Sequence, residues 1–125
     1  MKRRVVITGL GMITPLGTGT EKSWKGLLDG RSAIKKITHF DPEGYPCKIA
    51  AEVKDFEIDK FIDTKDQKKM DRFIHLGLAA ATLAMGDSGL AITEANADRV
   101  GVIVGSGVGG LPAIERYEKI LLEKG

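Results

Sequence analysis

The residues best placed to do chemistry lie in one glycine-rich loop. Gly105, Gly107, Gly109 and Gly110 fall within six positions, with Ser106 and Val108 between them. Backbone without Cβ atoms can approach a ligand or another chain closely. Three chemistries use such loops. A P-loop needs Lys and then Ser or Thr after its last glycine; here Leu111 and Pro112 follow. A nucleophile elbow needs glycine two residues either side of its serine; Ser106 has Val104 and Val108 there. The dinucleotide fingerprint fits better, because Gly105, Gly107 and Gly110 satisfy G-x-G-x-x-G between a β-branched run and a helical pattern. Amides at that helix start could hold a pyrophosphate. The fingerprint also needs an acid about 20 residues on, at the end of a second strand. Only Glu123 is near, and it falls inside the helical pattern. The plainer alternative is a tight strand-to-helix turn with no ligand. The earlier Gly9-Leu10-Gly11 is a weaker match, with Thr14 in place of the third glycine.

A second group is Lys65, Lys68 and Lys69. The pattern puts them in the first turns of a helix, where positive charge opposes the macrodipole. A purely structural design would place acids there, so the lysines point to a partner. The alternative is a solvated face softened by Asp66 and Asp71. Cys47 is the only cysteine, so no intramolecular disulfide forms and a reducing compartment is expected. His39 and His75 stand apart from it. No metal and no cofactor is expected.

These residues must be positioned by one domain's worth of chain, 125 residues with 42% hydrophobic content. A formal charge of +2 is too small to argue for nucleic acid. The basic start Lys2-Arg3-Arg4 is followed by an apolar run that breaks at Thr8-Gly9, too soon for a signal peptide. No apolar stretch approaches membrane-spanning length. A cytoplasmic protein without membrane attachment is expected.

Val5 to Leu10 reads as a buried strand ended by the Thr14-Pro15-Leu16-Gly17 turn. Thr18 and Glu21 have capping-box spacing and start a helix whose apolar face is Trp24, Leu27 and Leu28, with Gly30 just past its end. Asp41-Pro42-Glu43-Gly44 is a turn, and Ile49, Ala51 and Val53 alternate as a short strand. The rest of 31–64 reads as loop and short helix. Thr64 and Gln67 repeat the capping-box spacing before a helix, buried on most sides, whose apolar positions run from Met70 to Met85 and which closes at Asp87-Ser88-Gly89. A strand Val100–Val104 follows. Last comes a helix with Pro112 in its first turn, an apolar stripe of Ile114, Tyr117, Ile120 and Leu121, and a Glu115–Lys119 pair. This order predicts an α/β fold with some parallel pairing.

Several stretches, taken in order, carry a family resemblance. Arg4-Val5-Val6-Ile7-Thr8-Gly9-Leu10-Gly11-Met12, then Pro15-Leu16-Gly17, Trp24, the Asp66–Arg72 segment, Asp87-Ser88-Gly89-Leu90 and Val104–Gly110 together resemble the β-ketoacyl-[acyl-carrier-protein] synthases, and most closely the elongating type II enzymes. The resemblance spans essentially the whole chain. It implies a thiolase-like layered α/β fold, with residues 1–125 the first part of its N-terminal half, and a homodimer. It also implies condensation of acyl thioesters with malonyl-acyl-carrier-protein. In the family a cysteine takes the acyl group and two histidines assist decarboxylation. Those groups and a lysine lie beyond the region matched here, so no catalytic residue is expected in this chain and the isolated chain is expected to be inactive. Cys47, His39 and His75 match none of them. The resemblance makes Val108, between Gly107 and Gly109, the floor of the acyl pocket near the dimer contact. Valine there is expected not to shorten the accepted acyl chain. Lys65, Lys68 and Lys69 become part of the surface for acyl carrier protein. Two other classes stay open: a dinucleotide-binding module using Gly105–Gly110, and a non-catalytic thiolase-like binding domain.

Overall fold

The computed structural model describes residues 2–125. Its first unit is a tight hairpin and a helix. Strand β1 (Ile13–Thr14) pairs antiparallel with β2 (Gly17–Thr18) across the Pro15-Leu16 turn. Helix α1 (Thr20–Leu28) follows directly. A small buried polar knot fastens the two. The Ser23 hydroxyl, on a residue 1% exposed, lies 2.8 Å from the Thr14 hydroxyl and donates to the Gly17 carbonyl at 3.1 Å. Ser23 and Gly26 are the residues α1 buries, because small side chains let it approach the hairpin. Trp24, Leu27 and Leu28 are instead exposed, which corrects the apolar face expected for this helix. The capping box fails too. Gly19 is the N-cap with no side-chain cap, and the Thr18 hydroxyl donates across the fold to the Asp55 carbonyl at 3.4 Å. Gly30 does sit just past the helix end.

The second unit is a hairpin of β3 (Ile34–Lys36) and β4 (Ile49–Ala51), antiparallel with Lys35 opposite Ala50. β4 lies where the alternation puts a strand; β3 carries no strand signal in the sequence because Ile34 is its only apolar residue. The intervening loop contains the expected turn, with the Glu43 amide donating to Asp41 at 3.2 Å and Tyr45 to the Pro42 carbonyl at 3.0 Å. A single 3-10 turn, Ile58–Lys60, leads on.

The expected long helix is two. Helix α2 (Thr64–Gln67) is one turn, and α3 (Arg72–Ser88) begins after a break at 68–71. The break is made by Asp71, whose extended backbone (φ −77°, ψ 159°) makes it the N-cap of α3. Neither Asp63, the N-cap of α2, nor Asp71 caps with its side chain. The Gln67 amide bonds Asp59 at 2.8 Å and the Ile62 carbonyl at 2.7 Å instead of closing a capping box. α3 ends at Gly89 as the sequence indicated, but Ala79 is its one buried residue, so the helix is half-open rather than enclosed. Segment 9–11 runs close along it. A Cβ on Gly11 would lie 2.5 Å from the Ala84 nitrogen and 3.0 Å from the Leu83 Cβ, so only glycine allows that approach. The Leu10 amide donates to Asp87 at 2.8 Å, and Thr20 donates to the Leu10 carbonyl at 3.1 Å.

Helix α4 (Leu111–Lys124) starts with Pro112 in its first turn. Its stripe of Ile114, Tyr117, Ile120 and Leu121 is exposed, and Glu115 and Lys119 are not among the ion pairs of the described residues. Helices and strands mix as an α/β class requires, but both sheets among the described residues are two-stranded and antiparallel. The strands expected at Val5–Leu10 and Val100–Val104 carry no ladder. A strand exists only through a partner's hydrogen bonds, and no described strand pairs with either. Val5, Ile7, Val102, Ile103 and Val104 are at least 80% exposed.

Candidate functional site at the start of α3

The two groups of candidate residues meet at the N-terminal end of α3. Lys65 lies in α2, Lys68 is its C-cap, and Lys69 lies in the break. This corrects their expected place in the first turns of one long helix. Lys68 stands at a helix C-terminus, where positive charge suits the dipole. All three are exposed. Lys69 pairs with Asp66 at 2.8 Å, on side chains 62% and 48% exposed, so the pair is a weak constraint. The segment is anchored behind the lysines. The His75 ring nitrogen Nε2 lies 3.1 Å from the Gln67 carbonyl, tying α3 back to α2. The Arg72 guanidinium donates to the Val53 carbonyl beyond β4.

The glycine loop rests on the residues that follow those lysines. Gly109 has φ +80°, a conformation that favours glycine, and a Cβ there would lie 3.5 Å from the Phe73 ring. At Gly110 a Cβ would overlap the Asp71 carboxylate and lie 3.4 Å from Phe73. Gly105 and Gly107 have open space around them, and Val108 projects from the loop 71% exposed. The sequence does not connect Asp71 and Phe73 with the loop, since 36 or more positions separate them from Gly109. An Asp just before an apolar-periodic run was the available signal for the N-cap.

This contact bears on dinucleotide binding. A pyrophosphate would need the amides at the start of α4, where the Asp71 carboxylate lies. Fixed negative charge there repels a phosphate. No group of three or more His, Cys, Asp or Glu residues could hold a metal among the described residues. Cys47 is exposed, with its thiol 3.4 Å from the Ile49 carbonyl. No described helix is long and apolar enough to cross a membrane.

A polar cleft of about 410 Å³ opens between the two hairpins, lined in part by Thr14, Arg31, Lys35, Glu52 and Lys54. Glu52, its side chain 7% exposed, latches the loop after β3. It accepts from the Thr38 amide at 2.9 Å, the Thr38 hydroxyl at 2.7 Å and the His39 amide at 3.0 Å, and pairs with Lys54 at 3.4 Å. The Thr38 amide first and its hydroxyl next pull the carboxyl down to about 2; burial opposes them, and His39 and Lys54 add to the lowering.

The family model described as "Beta-ketoacyl synthase, N-terminal domain" matches residues 2–124. The 3-oxoacyl-[acyl-carrier-protein] synthase 2 of Vibrio harveyi is 52% identical over 124 residues, which are 99% of this chain and 30% of that protein. The synthase of the same name from Synechocystis sp. is 48% identical with the same coverage. Among solved structures, the ishigamide ketosynthase/chain length factor superposes with a TM-score of 0.73 at 35% identity, over 98% of this chain and 31% of that one. A β-ketoacyl synthase from Burkholderia phymatum STM815 does so with a TM-score of 0.77 at 28% identity, over 99% and 31%. The chain therefore spans under a third of the length of these relatives.

Proposed function

The chain belongs to the β-ketoacyl synthase family, and from that membership we propose that residues 1–125 are the N-terminal portion of a 3-oxoacyl-[acyl-carrier-protein] synthase of fatty-acid elongation. The observation that carries this is the 52% identity to a synthase of that name over 124 residues. The reaction joins an acyl group, held as a thioester on a cysteine, to the carbanion left when malonyl-acyl-carrier-protein loses carbon dioxide. The cysteine, its two histidines and a lysine belong to the portion after this stretch, so the 125-residue chain alone condenses nothing.

Two tasks fall to this portion. The Gly107–Gly109 loop, with Val108 at its tip, is the floor of the acyl pocket near the contact with a second subunit. Lys65, Lys68 and Lys69 receive the acidic acyl carrier protein, and their exposure suits that use. Charge attraction at such a rim speeds encounter and weakens with salt. The enzyme acts as a cytoplasmic homodimer.

A chimera tests the reading. This chain replaces the matching N-terminal portion of the Vibrio harveyi synthase, and condensation of an acyl thioester with malonyl-acyl-carrier-protein is assayed. Activity is expected within about tenfold of the parent synthase, the factor that about 1.4 kcal/mol of transition-state mismatch produces. A folded, dimeric but inactive chimera refutes the reading and leaves a non-catalytic binding domain in its place.

A further inference from the structure

Helix α4 begins without an acid of its own. Its first turn holds no Asp or Glu, and Gly110 at the N-cap has no side chain to offer. That end is the positive pole of the helix. The nearest negative group comes from another helix start. The Asp71 carboxylate lies against Gly110. Asp71 is the N-cap residue of α3 by its backbone, yet its side chain makes no capping bond there. It forms no ion pair among the described residues, and the neighbouring Arg72 is engaged at the Val53 carbonyl instead. Phe73 completes the contact, its ring beneath Gly109 and Gly110. The loop's own hydrogen bonds converge at the same spot, Leu111 donating to the Gly109 carbonyl at 3.1 Å and Ile114 to that of Gly110 at 3.0 Å.

We propose that Asp71 and Phe73 are positioning residues for the glycine loop: the Phe73 ring is the surface it rests on, and the Asp71 charge holds the N-terminal pole of α4 against that surface. The consequence for acyl-chain recognition rests on the reading of Val108 as pocket floor, since Val108 stands two residues before Gly110. The positioning itself is measured without substrate.

Amide hydrogen exchange on the chimera and its Asp71→Asn variant, which keeps the shape and removes the charge, is the test. Exchange at Leu111, Ala113 and Ile114 is expected to rise roughly two- to five-fold, the factor a single charge produces at a helix terminus. The β3–β4 hairpin should not change. At about 1 M salt, where the screening length is about 3 Å, the two proteins should converge. Unchanged exchange, a rise spread over the hairpin, or a rise that persists in high salt would each overturn the proposal. Should Asp71→Asn lose helix by circular dichroism, Asp71→Glu, which keeps the charge, must restore protection of the same three amides; failure to do so also overturns it. An inactive chimera would leave these results untouched, so the two readings fail separately.

Discussion

Reversing two of the lysines gives the sharpest test of carrier docking. Lys65→Glu and Lys69→Glu together, placed in the chimera, exchange two attractions for two repulsions. Unit charges about 4 Å apart in water interact by ~1 kcal/mol, so each reversal swings the contact by up to ~2 kcal/mol. Screening over a length of about 8 Å at physiological ionic strength brings this to about 1 kcal/mol each. The pair is then worth about 2 kcal/mol, or roughly 30-fold, given tenfold for every ~1.4 kcal/mol. Folding should survive. Both side chains are exposed, and the Lys69–Asp66 pair that is lost is a surface pair worth no more than about 1 kcal/mol. The assay compares KM for an acyl-carrier-protein substrate with KM for the same acyl group on a small thioester. The first should rise roughly 30-fold at low salt and only a few-fold near 1 M, with kcat little changed, because rim charges govern encounter. The second should stay put. An unchanged KM for the carrier substrate, or an equal rise for both substrates, refutes the assignment of these lysines.

Three further outcomes follow from the same geometry. Val108→Phe in the chimera should depress turnover of long acyl chains relative to short ones by about tenfold or more, a pocket-blocking cost of at least ~1.4 kcal/mol; identical chain-length profiles would remove Val108 from the pocket. Ser23→Ala removes the buried hydroxyl between Thr14 and Gly17 and should lower stability by about 1–2 kcal/mol in urea unfolding of the chimera; a loss under about 0.5 kcal/mol would show that the knot holds nothing. Glu52 has a folded pKa of about 2 against an ordinary 4.5, so its stabilising contribution is complete above pH 4.5 and fades as pH falls through 2. Its carboxyl carbon resonance should titrate near 2; a midpoint near 4.5 would mean the Thr38 latch is not closed in solution.

Local signals in the sequence hold where local physics decides. The Thr14–Gly17 turn, the Asp41–Gly44 turn, Pro112 inside the start of α4 and Gly89 past the end of α3 all depend on backbone preferences within a few residues. The structure departs from the sequence pattern where a distant partner decides. Val5–Leu10 and Val100–Val104 have the most β-branched composition in the chain, but composition supplies no ladder, and the described residues offer neither a partner strand. Trp24, Leu27 and Leu28 have helical spacing, yet α1 packs by Ser23 and Gly26, because contact with a hairpin backbone favours small side chains over large ones. Both capping boxes had the right spacing and lost their polar side chains to tertiary acceptors at Asp55, Asp59 and Ile62. At the candidate site, the glycine pattern was legible and its support was not, since Asp71 and Phe73 reach Gly109 and Gly110 only through the fold.

The break at 68–71 matters more to the site than any one residue in it. In an unbroken helix, successive side chains step by about 100°, so Lys69 and Phe73, four apart, would share a face. The extended backbone at Asp71 removes that constraint. One short stretch can then serve three directions: Lys68 and Lys69 to solvent, Arg72 to the carbonyl of Val53, and Asp71 with Phe73 to the glycine loop. The surface proposed for the carrier protein and the loop proposed for the acyl chain are therefore built on the same short stretch. A substitution that restored continuous helix through 68–71, such as Asp71→Ala with its high helix propensity, would turn those directions into one another. It should damage both functions together, whereas the lysine reversals should damage only docking.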